Sequence, residues 1–88
     1  MILYSIQNQF IYFSYPEDVE KGYMTDTTIP EARHLMKLFG IAEYEENKYE
    51  ISSLTEREII ILSGILAMFF KPSKKLEEII LKATSYGA

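Results

Sequence analysis

There is no cysteine among the 88 residues and no tryptophan. Without cysteine the chain has no disulfides, thiolate nucleophiles or zinc–thiolate sites, and it gives no sign of an oxidising compartment, so a cytoplasmic setting is expected. Histidine occurs once, at His34, between an apolar stripe and a polar face, where it reads as ordinary surface because general-base work needs an oriented partner and a pocket. The four glycines are isolated from one another. No phosphate-cradling loop, nucleophile elbow, paired-carboxylate motif or calcium loop can be assembled from them and their neighbours. The reading is therefore non-enzymatic, with no cofactor and no metal. Long apolar runs are also lacking: Ile59 to Phe70 is 12 residues even with Ser63 and Gly64 counted, too short to span a bilayer. The start Met1-Ile2-Leu3 is soon interrupted by Ser5, Gln7, Asn8 and Gln9 and has no basic flank, unlike a signal peptide.

Positive charge is scarce in the first half. Residues 1–50 carry nine acidic against four basic groups, residues 51–88 carry four against five, and the net charge is −4. Nonspecific nucleic-acid binding needs a basic surface, so the acidic half argues against it. Apolar and aromatic residues are abundant, with 48% hydrophobic residues including seven Tyr and five Phe. That supply is what a chain of this length needs to fold around one core, and residues 1–88 are read as one domain.

Ile2–Ile6 and Phe10–Tyr15 flank the polar Gln7-Asn8-Gln9, the pattern of a hairpin whose Asn8 tolerates a left-handed turn. The second strand is apolar on both faces, Phe10 and Tyr12 alternating with Ile11 and Phe13, so either helices or another chain must cover it. Phe10, Ile11, Tyr12, Phe13 and Tyr15 are accordingly the interface candidates. Glu17 to Thr27 reads as a loop. Thr28-Ile29-Pro30-Glu31 opens a helix with Ala32, Leu35, Met36 and Phe39 facing inward and Gly40 placed for a left-handed cap. Ala42 to Ile51 alternates and reads as a second hairpin about Glu46-Asn47, with Tyr44 facing Tyr49, Glu45 facing Lys48, and Glu43 unfavourably facing Glu50. Thr55 and Glu58 form a capping box and Leu54 and Ile59 a hydrophobic staple, so a helix starts there. Its body is apolar nearly all round, the mark of a central buried helix, with Gly64 and Ala67 small enough to admit a close neighbour. Lys71-Pro72 stops it, and Ser73 caps a last helix ending near Gly87 whose face is Leu76, Ile79, Ile80, Ala83 and Tyr86.

The predicted fold class is α+β: a small antiparallel sheet from two β-hairpins packed against three helices, in the order ββ-α-ββ-α-α. Two patches stand out on it. The acidic patch is Glu43, Glu45, Glu46 and Glu50, a solvated strand face, or else a meeting place for a basic protein or a loose hold on a divalent cation. The basic patch is Lys71, Lys74 and Lys75, two of which oppose the dipole of the last helix. Two helices behind a hairpin are also the raw material of a winged helix-turn-helix, and Leu54-Thr55-Glu56-Arg57-Glu58 resembles the opening of such domains. That resemblance implies a nucleic-acid-binding regulator using the last two helices, but Glu77 and Glu78 would face phosphate there. The preferred reading is a non-enzymatic protein-interaction module or small accessory protein whose partner is another protein chain, a homo-oligomer being the simplest outlet, with no membrane role. The wealth of Ile, Lys, Tyr and Glu is what an AT-rich genome encodes, and a virus-encoded regulator fits that composition.

Overall fold

Asn8 and Gln9 both take left-handed backbone angles, φ 51° and 68°, the two-residue turn whose twist matches that of antiparallel strands. Around it β1 (Leu3–Gln7) pairs with β2 (Phe10–Ser14), Gln7 opposite Phe10 and Tyr4 opposite Phe13. The computed structural model describes residues 1–86, with side chains through Ala83. The remaining elements are α1 (Pro16–Lys21), α2 (Pro30–Leu38), β3 (Glu43–Glu45), β4 (Lys48–Glu50), α3 (Glu56–Phe69), β5 (Lys71–Pro72) and α4 (Lys74–Tyr86). The α+β class holds, but the sheet is mixed and five-stranded, in the order β3-β4-β2-β1-β5. The stop predicted near Gly87 lies outside the described residues, as does the side chain of Tyr86.

Two elements are additional to those predicted. α1 occupies what reads as a loop. Pro16 stands in its first turn, Glu17 and Asp18 lie at the positive end and Lys21 at the negative end, and Gly22 closes it at φ 97° with the Gly22 and Tyr23 N–H groups donating to the Val19 and Asp18 carbonyls. Gly40 ends α2 in the same way: at φ 67° it lets the Ile41 N–H reach the Met36 carbonyl at 3.0 Å, and both side chains are buried together. β5 is two residues long and runs parallel to β1, held by the Lys71 N–H on the Ile2 carbonyl and the Ser73 N–H on the Tyr4 carbonyl. β4 also runs parallel to β1, since each is antiparallel to β2. β4 and β5 therefore need a crossover, and α3 is that crossover helix.

The crossover decides the layering. Ile11, Phe13, Tyr4 and Tyr49 project from one face of the sheet into a cluster with Ala32 and Met36 of α2 and Leu62, Leu66 and Phe70 of α3 and its end. Tyr12 projects from the other face into a cluster with Val19 of α1 and Leu76 and Ile80 of α4, flanked by Leu3 and Phe10. Helices thus cover both faces of β2, and the cover sought for Ile11, Tyr12 and Phe13 is supplied within the chain. The same layering puts α3 and α4 on opposite sides of the sheet, so the two helices required side by side by a helix-turn-helix do not meet that way.

The second hairpin turns at Glu46-Asn47, but a bulge shifts its register: Glu45 faces Lys48 as expected, whereas Glu43 faces Tyr49. The Glu43–Glu50 repulsion is thereby avoided, and Tyr44 is released from Tyr49 to lie outside on Phe10, ring centroids 4.9 Å apart. Asn47 takes φ 61° and is buried. Its side-chain oxygen accepts from the Ile29 N–H at 2.9 Å, and its amide donates to the Thr25 and Thr27 carbonyls at 3.1 and 2.7 Å. A hairpin turn and the loop entering α2 are tied together by this one side chain.

Candidate interaction surface

α3 begins as predicted: the Thr55 hydroxyl accepts from the Glu58 N–H at 3.2 Å and the Glu58 carboxylate accepts from the Thr55 N–H at 2.8 Å. Beyond that cap the helix departs from the expected picture of a wholly buried rod. Leu62 and Leu66 face the sheet and are buried, but Ile60, Ile61, Met68 and Phe69 are 60–75% exposed. The reason is the layering, since a helix on the outside of a sheet is covered on one side only and no further layer lies beyond it. Leu38 is equally exposed, and Phe39, expected inward on α2, is 45% exposed because α2 ends at Leu38 and Phe39 leaves the helical path as its cap.

Four of these six side chains border two grooves. Leu38 and Phe69 line one groove of about 770 Å³ with Met1, Leu35 and Phe70. Phe39 and Ile61 line a smaller one with Leu54 and Ile65. The two grooves have no lining residue in common; Ile60 and Met68 stand apart from both, within about 100° of Ile61 around the helix axis and away from the buried Leu62 and Leu66. The rim of the larger groove bears Glu17, Glu31 and the exposed His34. Sequence reasoning looked for the excess apolar surface on β2. The signal that placed it on α3 was the run Ile59 to Phe70 itself, which has no charged residue on any side.

The acidic residues do not form one site. Glu43 accepts from Arg33 at 2.7 Å, Glu46 accepts from the Thr28 hydroxyl at 2.8 Å, Glu50 accepts from the Ser52 hydroxyl at 3.0 Å, and Glu45 stands 4.0 Å from Lys48. No group of three or more acidic or histidine side chains able to hold a metal ion occurs among the described residues. Of the lysines, Lys75 donates to the Glu20 carbonyl at 3.1 Å, tying α4 to α1, while Lys71 and Lys74 stand exposed beside the Ser73 cap, whose hydroxyl accepts from the Leu76 N–H. Lys48 is the better placed cation: its ammonium lies 4.4, 5.0 and 5.4 Å from the ring centres of Phe10, Tyr44 and Tyr12. These rings hold it electrostatically and shield its stem from water.

Two polar arrangements lie buried in the fold. The Thr25 hydroxyl donates to Asp18 at 2.6 Å and accepts from the Tyr15 N–H, so the Ser14 hydroxyl 2.8 Å away must donate to it, while Ser14 accepts from the Thr25 N–H. Every proton in this network has a partner, which makes it a clamp on the loop after α1. The Tyr49 hydroxyl, in contrast, is buried without a hydrogen-bond partner. Burial pushes its pKa above the usual 10.0, with nearby Glu43 adding to the rise and Arg33 opposing it. Glu43 in turn raises the pKa of the Arg33 guanidinium through their hydrogen bond.

Tyr49→Phe is therefore expected to leave stability at neutral pH unchanged or higher, because it removes an unpartnered buried hydroxyl. In alkali the sign is fixed by the direction of the shift: the unfolded phenol ionises first, so the wild type holds this contribution in full below pH 10 and loses it as pH rises from there. Denaturant melts of both proteins between pH 7 and 11 check this. The wild type should fall more steeply than Tyr49→Phe in the upper half of that range, and parallel curves would refute the assignment.

No helix among the described residues is long and apolar enough to cross a membrane. No protein-family model, curated protein or solved structure matches the chain.

Proposed function

We propose that this chain is a non-enzymatic protein-interaction module that docks another protein chain against the outer face of α3 and the C-terminal end of α2. The observation that carries the reading is the exposure of Ile60, Ile61, Met68 and Phe69 on one 14-residue helix. Water-facing apolar side chains scattered singly need no explanation, but several on the outer side of one helix are the kind of surface that binding partners cover. The distribution of polar groups supports the same reading, since the carboxylates, the lysines and the hydroxyl network are each engaged in holding the fold or dispersed over it.

The test is a double replacement, Ile61→Glu with Met68→Glu. Both side chains point into water, so the folded chain should tolerate the change to within about 0.5 kcal/mol per site, and the far-UV circular dichroism should match wild type. Binding of a hydrophobic dye, and any association the wild type shows, should fall sharply. A quadruple change of Glu43, Glu45, Glu46 and Glu50 to Gln serves as the control and should leave both intact. Equal dye binding and equal association in wild type and the α3 variant would overturn the docking face.

A further inference from the structure

Lys48 carries its ammonium into a place that the fold has built around it. Alternation along β2 puts Phe10 and Tyr12 on one face of the sheet, and the register sets Lys48 directly opposite Tyr12. The bulge in β3 turns Tyr44 out onto Phe10. The Phe10 ring is inclined by 61° to that of Tyr12 and by 44° to that of Tyr44, so the three faces wall a concave site. The Lys48 nitrogen stands over all three of them. A lysine that only covers apolar surface lays its stem on the rings and keeps its ammonium in water. Here the charge itself is over the rings, and the side chain is 20% exposed.

The surroundings of that nitrogen select the cation that suits the site. Glu45 is its ion-pair partner, and at 4.0 Å the contact is too long for a hydrogen bond. Among the described residues no other group bonds to it. A primary ammonium brings three N–H donors there, and the chain offers none of them an acceptor. A trimethylated ammonium keeps the charge, has no N–H to satisfy and is the kind of cation that aromatic cages recognise. The site is also reachable: a hollow of about 630 Å³ is lined by Lys48, Tyr12 and Glu45, with Asp26 and Glu46 adding negative charge to its wall.

We infer that Phe10, Tyr12, Tyr44 and Glu45 form a site for a methylated ammonium group. Two sources have that chemistry: Lys48 itself after methylation, or a methylammonium ligand that displaces Lys48. In the first, the amine nitrogen attacks the methyl carbon of a sulfonium donor. The N–C bond forms as the S–C bond breaks, and each transfer releases a thioether and one proton. The site lies across the sheet from the exposed side of α3, so its fate is independent of the docking face.

Cysteine is absent from the chain, so Lys48→Cys places one thiol at the site. Alkylation with 2-bromoethylamine rebuilds a primary ammonium there, and alkylation with (2-bromoethyl)trimethylammonium builds its trimethylated counterpart. The trimethylated protein should melt about 2–8 °C above the primary one. The gap should close when Tyr44, 56% exposed and outside the core, is replaced by alanine in both, with circular dichroism alike in all four proteins. Equal melting of the matched pair, or a gap unchanged by Tyr44→Ala, would overturn the inference. Tetramethylammonium chloride, followed by the aromatic proton resonances, separates the two sources. It should shift Phe10 and Tyr44 in Lys48→Ala, where sodium chloride at equal ionic strength should not, and no shift in that variant would also overturn the inference. Shifts confined to Lys48→Ala assign the site to methylated Lys48, and the same shifts in wild type at similar concentration assign it to a ligand.

Discussion

Replacing Leu66 with alanine is expected to cost about 2–5 kcal/mol, a large part of the stability of a domain this size. Leu66 is fully buried between the sheet and α2, in the cluster that holds Phe13, Met36 and Phe70. Its removal leaves a cavity that a packed sheet cannot collapse into. The thermal midpoint should fall by roughly 10–30 °C. Ile60→Ala, six residues earlier on the same helix, removes a comparable volume from the water side and should cost less than about 0.5 kcal/mol in the monomer. Denaturant melts of the two variants measure the sidedness of α3. Equal losses would show that both faces of the helix are packed.

The second large effect is expected at Asn47, whose side chain makes three hydrogen bonds to the backbone of residues 25–29. Asn47→Ala leaves the Ile29 N–H and two carbonyls without these partners and forces a residue less suited to left-handed backbone into φ 61°. A loss on the order of 2–4 kcal/mol follows. Two further variants separate the contributions. Asn47→Gly keeps the backbone angle and loses the bonds. Asn47→Asp keeps the acceptor for Ile29 and turns a carboxylate towards two carbonyls. If the bonds dominate, both should be as damaged as Asn47→Ala. Near-wild-type stability of Asn47→Gly would assign the effect to backbone strain instead.

The features legible in the sequence were those settled within a few residues. The capping box at Thr55, the Gly40 cap with its Ile41–Met36 contact, the turn at Asn8 and the Ser73 cap all satisfy backbone groups locally, and a side chain of the right kind at the right spacing announces each. α1 carries the same signals, Pro16, Glu17, Asp18, Lys21 and Gly22, but over six residues these are easily read as a loop. What the sequence could not announce is set by residues far apart. β5 exists because two backbone groups find the Ile2 and Tyr4 carbonyls. The bulge at Tyr44 goes with a long-range ion pair between Glu43 and Arg33, ten residues away. The exposure of α3 is of this kind too. Its composition shows that every side is apolar, but only the path from β4 to β5 decides which side the sheet covers. The excess apolar surface was thus foreseeable in amount and not in position.

The two margins of the sheet bear on strand addition from one molecule to the next. One margin is β5, whose second residue is a proline with no N–H to offer, and the other is β3, three residues long, bulged and bearing Glu43 and Glu45. Neither presents the flat row of open donors and acceptors on which another chain adds a strand. Templated cross-β growth from the folded state is blocked at both ends. Fibril formation would require β1 or β2 to be stripped of its neighbours first.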